Sequence, residues 1–288
     1  KNESVGLFMG TQPGSVLPKP EWDIQAWVDF VEKHKIDLLI PGADRDLLPF
    51  AQNREALHAV VSDPRVIEIA DDKLKTALYL NDELNLNVPD FTHPENAQDW
   101  NIFPCVVKPR VDAASRGFRI CQDREEMNFY LQRTKDPIIQ EYLRGDEYTC
   151  NVFCDRDGIP RAKLVMLRKD YSGIAIQARP VVRETIDEML DVIGRDLKPM
   201  GTLSVQLKMP FDTPYPFEIN ARMSGSSIVR ALAGYNDLDL MIRHYLFGED
   251  IVQPEIDYSQ TYFRWYSTLS VNTSLLHRLA EKEVEIWN

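Results

Sequence analysis

The chain has no apolar run near the ~18 residues that a membrane-spanning helix needs, and its longest early run, VGLFM (Val5 to Met9), is too short for a signal-peptide core. No membrane role is expected, and the localisation reads as cytoplasmic. Positive charge is scarce too: 33 lysines and arginines stand against 45 acidic residues, a net charge of -12. Such a surface repels polyanions, which excludes nucleic acid as a general partner and requires any anionic ligand to be held by a local group of cations. The four cysteines, Cys105, Cys121, Cys150 and Cys154, form no CxxC pair and lie in apolar, strand-like surroundings. Reduced thiols fit that pattern better than a disulfide framework or a metal site. Histidines are scattered singly, with no Ser/His/Asp or Cys/His arrangement. Neither GxxxxGK[ST] nor GxGxxG occurs, so the two familiar glycine-rich phosphate loops are missing. Internal repeats and low-complexity segments are absent as well.

What the chain does have is length enough, at 288 residues, for a sizeable core in one to three lobes. WDIQAWVDFVEKH predicts an amphipathic helix, KIDLLIPG a buried strand, LLPFAQNREALHAVV a helix and RVIEIA a strand, the alternation of a layered α/β unit. Such a unit begins with a strand and a crossover helix, which KNESVGLFMGTQPGS does not supply, so a preceding part of a longer protein is expected to be missing. Asp71-Asp72 then heads the helix KLKTALYLNDELN. Further on come the strands FPCVVKP and FRICQ, the helix REEMNFYLQRT, and a strand-turn-strand over DPIIQEYLRGDEYTCNVFCD. The strand AKLVMLR, a loop at Tyr171 to Gly173 and the helix RETIDEMLDVIGRDL follow, then the strand pair TLSVQLKMP and PFEINAR. NDLDLMIRHYLFG reads as a helix, TYFRWYSTLSV as a strand, and the end as a short charged helix.

FEINARMSGSS, Phe217 to Ser227, sets Glu218, Asn220 and Arg222 at every second residue. On a strand they share one face while Phe217, Ile219 and Ala221 share the other. A hairpin symmetric about Asp212 would place Gln206 opposite Glu218 on that polar face. The face then carries a carboxylate and two amide oxygens, hard donors of the kind that magnesium accepts while keeping phosphates or waters as its other ligands. A solvated edge hairpin is the other reading, and the loop could shift the register by one residue. Two lysines are candidate phosphate holders: Lys108, leaving a buried strand into the small-residue loop of CVVKPRVDAASRG, and Lys73, at a helix N-terminus. Singly, each also reads as an ordinary surface charge.

Taken in order, the DK at a helix head, VVKP with its small-residue loop, IIQEYLRGDEYTCNVFCD, VQ and FEINARMSGSS resemble the ATP-grasp superfamily, most of all the synthetase domains of the carbamoyl-phosphate synthase large subunit. The resemblance runs from about Lys35 to Asp250. It implies an α/β (α+β lobes) ATP-grasp fold: a partial N-terminal Rossmann-like pre-ATP-grasp domain over 1–70, a small lobe over 71–137, and a large lobe with the magnesium site over 138–288. It also implies ATP and Mg2+ as cofactors. Lys73 and Lys108 would then bind the nucleotide phosphates, with the loop at Ala113 to Gly117, including Ser115 and Gly117, closing over them. Gln140, Glu141, Tyr142 and Leu143 would embrace adenine largely through backbone groups, Glu147 would accept the ribose hydroxyls, and Gln206, Glu218 and Asn220 would hold magnesium. Arg222 and Lys108 would stabilise the transferring phosphoryl group. Arg168, a catalytic candidate, and Arg183 are looser matches, as contacts to phosphate or a substrate carboxylate, and Arg168 also reads as a surface arginine. Departures from the family pattern are the single glycine of the phosphate loop, with Arg116 beside it, and a glutamine at one metal position.

The activity so implied is ligation of a small carboxylate, activated as an acyl phosphate, to an amine or similar nucleophile. The partners are those small molecules, with no nucleic acid and no membrane, and a homodimer is compatible with the reading. A kinase on the same scaffold and a nucleotide-binding regulatory module without turnover are the alternatives.

Overall fold

A computed structural model describes residues 14–16, 23–112, 117–171, 174–264 and 285–287. The chain divides into two compact units, one formed by residues 1–35 and 265–288, the other by 36–264. In the first, β1 (Gly14–Val16) pairs antiparallel with β12 (Glu285–Trp287), and α1 spans Ile24–His34. Asp23 caps α1 by accepting from the Ala26 N–H at 3.1 Å, and Lys35 ends it in the left-handed region.

The second unit opens with a parallel bridge between Leu39 and Ala59, flanked by α2 (Asp44–Gln52) and α3 (Pro64–Asp71). Only this single bridge represents the strand expected in KIDLLIPG. RVIEIA, expected as a strand, is the body of α3. Pro64 occupies the first helical turn, where its missing N–H costs nothing, and Val66, Ile67 and Ile69 are buried. α4 (Lys73–Leu78) runs on into a wider π turn over Tyr79–Glu83. Asp72 caps it, accepting from the N–H groups of Leu74 and Lys75.

A four-stranded antiparallel sheet follows in the order β2-β5-β3-β4, from β2 (Phe91–Thr92), β3 (Cys105–Pro109), β4 (Arg119–Cys121) and β5 (Pro137–Glu141). α5 (Arg124–Leu131) covers it, with Met127 in a core shared by Trp100, Cys105, Val107, Cys121 and Ile139. The larger sheet has six antiparallel strands in the order β10-β9-β6-β7-β8-β11. These are β6 (Asp146–Cys154), β7 (Pro160–Tyr171), β8 (Ile174–Pro180), β9 (Gly201–Met209), β10 (Tyr215–Asn220) and β11 (Tyr262–Phe263). α6 (Glu184–Leu197) packs on β6 and β7 through Ile186, Met189, Leu190, Ile193 and Leu197, a helical stripe. Gly194 in the same stripe lets the helix approach closely: a Cβ there would meet Pro160 at 3.0 Å. α7 (Ser227–Leu232) and α8 (Asp237–Met241) follow β10.

All four cysteines are free and buried, as the sequence leads one to expect. No described helix is long and apolar enough to cross a membrane. Of the expected strand TYFRWYSTLSV, Tyr262–Phe263 form β11; from 265 on, it and the expected charged helix lie outside the described residues, except that 285–287 form β12.

Candidate active site

β9 and β10 pair antiparallel with Glu218 opposite Gln206 and Asn220 opposite Ser204, the register expected for a hairpin symmetric about Asp212. The turn end is one residue out of that register, with Tyr215 opposite Lys208, and a bulge between Pro216 and Glu218 restores it. β6 extends the rows on its other side: Thr149 stands opposite Gln206, and Glu147 opposite both Lys208 and Arg168. Cross-strand partners face the same way, so Arg168, Glu147, Lys208, Gln206 and Glu218 share one polar face.

That face and the four-stranded sheet bound one cavity of about 820 Å³. Lys73, Lys108, Gly117, Gln140, Glu141, Tyr142, Leu143, Glu147, Arg168, Gln206 and Glu218 all line it, so residues spread over much of the chain are brought together. Asn220 ends β10 outside its lining, and Arg222, expected on the same strand, lies just past the strand's end and also outside it; Arg183 is not part of it either, and Ser115 falls outside the described residues.

Lys108 projects from β3, buried, and donates to Oε1 of Gln140 at 2.7 Å, with its ammonium 5.6 Å from the Phe217 ring centroid. Burial pulls its pKa down to about 8; Glu218 works against that fall and Lys73 adds to it. Lys73 donates to the Asp112 carbonyl at 2.8 Å, which ties the head of α4 to the loop after β3. Burial works to raise the neighbouring Asp72 carboxyl, but the Arg110 guanidinium and the two capping N–H groups outweigh it and hold the group below its usual range.

Glu218 Oε1 accepts from Gln206 Nε2 at 3.2 Å and from Asn220 Nδ2 at 3.0 Å. Arg168 donates to Glu147 and, at 2.9 Å, to Oε1 of Gln206, so it links the expected ribose and metal residues. Among the described residues Glu218 Oε2 carries no hydrogen bond. A half-turn of either terminal amide would present an oxygen in place of its nitrogen. The donor set of Gln206, Glu218 and Asn220 therefore fits a hard, oxygen-preferring cation. In the hinge between the two sheets, the segment 141–143 at the end of β5, the Glu141 N–H donates to Asp90 O at 2.7 Å and the Tyr142 N–H to Pro104 O at 3.3 Å. Leu143 N–H has no backbone partner among the described residues.

Arg222 does not point at an empty phosphate position: its fork grips Asp44, with Nη2 to Oδ2 at 2.7 Å. Asp44 was not singled out in the sequence, and neither was Lys208, whose ammonium lies 5.1 Å from the Tyr142 ring centroid and 3.9 Å from Glu147. Lys208 follows Gln206 by two, so the spacing that selected Glu218 and Asn220 would have found it. Behind the small-residue segment after β10, Arg230 is fully buried, pairing with Asp237 at 2.7 Å and donating to the hydroxyls of Ser224, Ser226 and Ser227.

The sequence profile of the ATP-grasp domain matches residues 70–226, more than half of the chain. The chain belongs to the ATP-grasp family. Among curated ATP-grasp relatives, it is 32% identical over 116 residues to a D-alanine--D-alanine ligase of Thermotoga petrophila, a match covering 37% of this chain and 38% of that protein. It is 23% identical over 219 residues to the carbamoyl phosphate synthase large chain of Campylobacter jejuni, covering 67% of this chain and 20% of that one. The chain thus spans well under half of either relative. Solved structures share the ATP-grasp fold: N5-carboxyaminoimidazole ribonucleotide synthetase from Thermus thermophilus superposes with a TM-score of 0.67 at 15% identity, over 83% of this chain and 69% of that one. An L-amino acid ligase from Bacillus licheniformis gives 0.64 at 19% identity, over 83% and 65%. The α+β architecture, with its four-stranded and six-stranded antiparallel sheets, is that of the ATP-grasp fold.

Proposed function

We propose that the protein is an ATP- and magnesium-dependent ligase that activates a small carboxylate as an acyl phosphate. The observation that carries this reading is the convergence, around one cavity, of Lys73 and Lys108, Gln206 and Glu218 of the polar row on β9 and β10, and the segment Glu141 to Leu143. Lys73 and Lys108 would hold the phosphates, Glu141 to Leu143 the base and Glu147 the ribose. Gln206, Glu218 and Asn220 would hold magnesium, which when bound would offset the charge of the triphosphate. A substrate carboxylate oxygen then bonds to the γ-phosphorus as the bond to the ADP oxygen breaks. An amine afterwards takes the acyl carbon, releasing inorganic phosphate and a proton. Among the described residues the cavity offers no nucleophile–base pair, and this chemistry needs none: it requires positioning and a charged clamp, for which Lys108 lies at hand.

A coupled assay of ADP release against carboxylates crossed with amines tests the reading. ADP formation that depends on both supports the ligase. ADP formation with one acceptor and a stable phosphorylated product would make it a kinase, and nucleotide binding without turnover of any pair would make it a regulatory module.

A further inference from the structure

The polar row on β9 does not stop at the cavity: Gln206, Ser204 and Thr202 share one face, and the last two are buried. In register with Ser204 stand Asn220 of β10 on one side and Asn151 of β6 on the other, facing the same way. Ser204 and Asn151 are both at 0% exposure. Yet the Ser204 hydroxyl and Asn151 Oδ1 have no hydrogen-bond partner among the described residues. A buried polar atom without a partner is costly, and here two of them sit on neighbouring strands beside the proposed metal residues.

Asn151 is oriented from behind. Its Nδ2 donates to Thr202 Oγ1 at 3.4 Å, while the Thr202 hydroxyl gives its hydrogen to Asp237 Oδ1 at 2.8 Å, and Asp237 is paired with Arg230. With that hydrogen committed, only the amide nitrogen of Asn151 suits the contact, so Oδ1 is the end left over and can only accept. Ser204 complements it, because a hydroxyl donates one bond and still accepts another. What Ser204 lacks is a donor from the β10 side. Asn220 carries one but spends its Nδ2 on Glu218 Oε1 at 3.0 Å. For Asn220 to present its oxygen beside Glu218, as a magnesium ligand must, the amide turns over, and Nδ2 then leaves Glu218 in need of an acceptor.

We infer that Ser204 is a positioning residue for the metal row, its hydroxyl accepting from the turned Asn220 amide and donating to Asn151, so that the Asn220 oxygen is held towards the cation. The inference rests on the magnesium reading of Gln206, Glu218 and Asn220. The two unpaired atoms are then the open ends of a chain of hydrogen bonds through Asn220, Ser204, Asn151, Thr202, Asp237 and Arg230. It closes in the arrangement that offers Asn220 as a ligand. Leaving both atoms unpaired in the other arrangement biases the site towards the metal-bound one.

Thermal melting of Ser204→Ala, with a non-hydrolysable ATP analogue and increasing magnesium, is the test. Without either ligand the variant should melt at or above the parent, because the hydroxyl it loses has no partner there. With the analogue present, the magnesium concentration for half of the full rise in melting temperature should increase roughly 10-fold or more, the scale for losing a group that orients a metal ligand. Ser204→Thr keeps a hydroxyl and should titrate like the parent. An unchanged magnesium requirement in Ser204→Ala, or an equal rise in both variants, would overturn the inference. So would a ligand-free Ser204→Ala that melts clearly below the parent, since the hydroxyl would then already be bonded. The parent protein separates this inference from the reading beneath it. If magnesium does not raise the melting temperature of the parent with its analogue, the metal row itself fails and Ser204 with it. If magnesium does so and Ser204→Ala responds identically, only the role of Ser204 is lost.

Discussion

Lys108 and Gln140 meet across β3 and β5, the buried ammonium donating to the amide oxygen at 2.7 Å. An amide dipole is a weak partner for a buried charge, which is why burial brings this lysine down from 10.5 to about 8. A triphosphate in the cavity would favour the charged form and raise that value again. The sign follows: below pH 8 the lysine is charged with or without nucleotide and adds no pH dependence. Above pH 8 binding must take up a proton, so affinity falls by up to about tenfold per pH unit until the pKa of the complex is reached. In the free protein the same depression adds stability as pH rises from 8 towards 10.5. Calorimetry with ATP at pH 7, 8 and 9 measures the slope, and Lys108→Met should flatten it while weakening binding. Equal affinity at pH 7 and 9 in the unaltered protein would refute the assignment.

The hinge predicts which purine is chosen. Glu141 and Tyr142 spend their N–H groups on Asp90 and Pro104, so if this segment holds the base, Leu143 would supply the donor to the ring. Adenine offers an unprotonated N1 to such a donor, whereas guanine presents an N–H against it. A buried polar group left unmatched costs about 1–3 kcal/mol, so ATP should bind roughly 10- to 100-fold more tightly than GTP. Competition titrations with the two nucleotides decide it, and parity would remove 140–143 from the base site.

Arg230 and Asp237 form an ion pair with both side chains at 0% exposure. Arg230→Met would strand a carboxylate in the core, where among the described residues the Thr202 hydroxyl, at 2.8 Å, is its remaining side-chain partner. The expected loss is about 3–5 kcal/mol in urea unfolding. Replacing both partners, Arg230→Met with Asp237→Leu, should cost clearly less than Arg230→Met alone. A single-variant loss below ~1 kcal/mol would mean that the pair is not holding a charge in the core.

How much of this was legible follows from the range of each signal. The polar row on β10 was, because period two is a local property of FEINAR and the hairpin needed only a turn near Asp212 to set Glu218 against Gln206. RVIEIA reads as a strand because a six-residue segment with four apolar residues is too short for its pattern to tell strand from helix, and the deciding cue, Pro64 behind Asp63, lies just outside it. The engagement of Arg222 could not be read at all. Asp44 is 178 positions away, and nothing in the local pattern of either residue records their meeting. Arg230 likewise looks like a surface charge on α7 until Asp237 and the serines close around it.

The polar row itself yields the sharpest test. Glu218→Gln keeps the strand and the shape but removes the one negative charge among Gln206, Glu218 and Asn220. For a solvated face the change would move stability by no more than ~0.5 kcal/mol and leave activity alone. For a face that holds magnesium against phosphate, turnover should fall roughly 10²-fold or more, with a higher magnesium concentration needed for half-maximal rate. Asp212→Asn is the matched control. Asp212 sits exposed at the hairpin tip with φ at 59°, in the left-handed region that asparagine adopts readily, so the same isosteric charge loss there should be silent. Thermal melting of both variants and magnesium titrations of ADP release supply the readouts. Parent-like melting in both with a selective loss in Glu218→Gln makes the row a metal site. Full activity in both makes it a solvent-facing edge and removes the main support for phosphoryl transfer in this cavity.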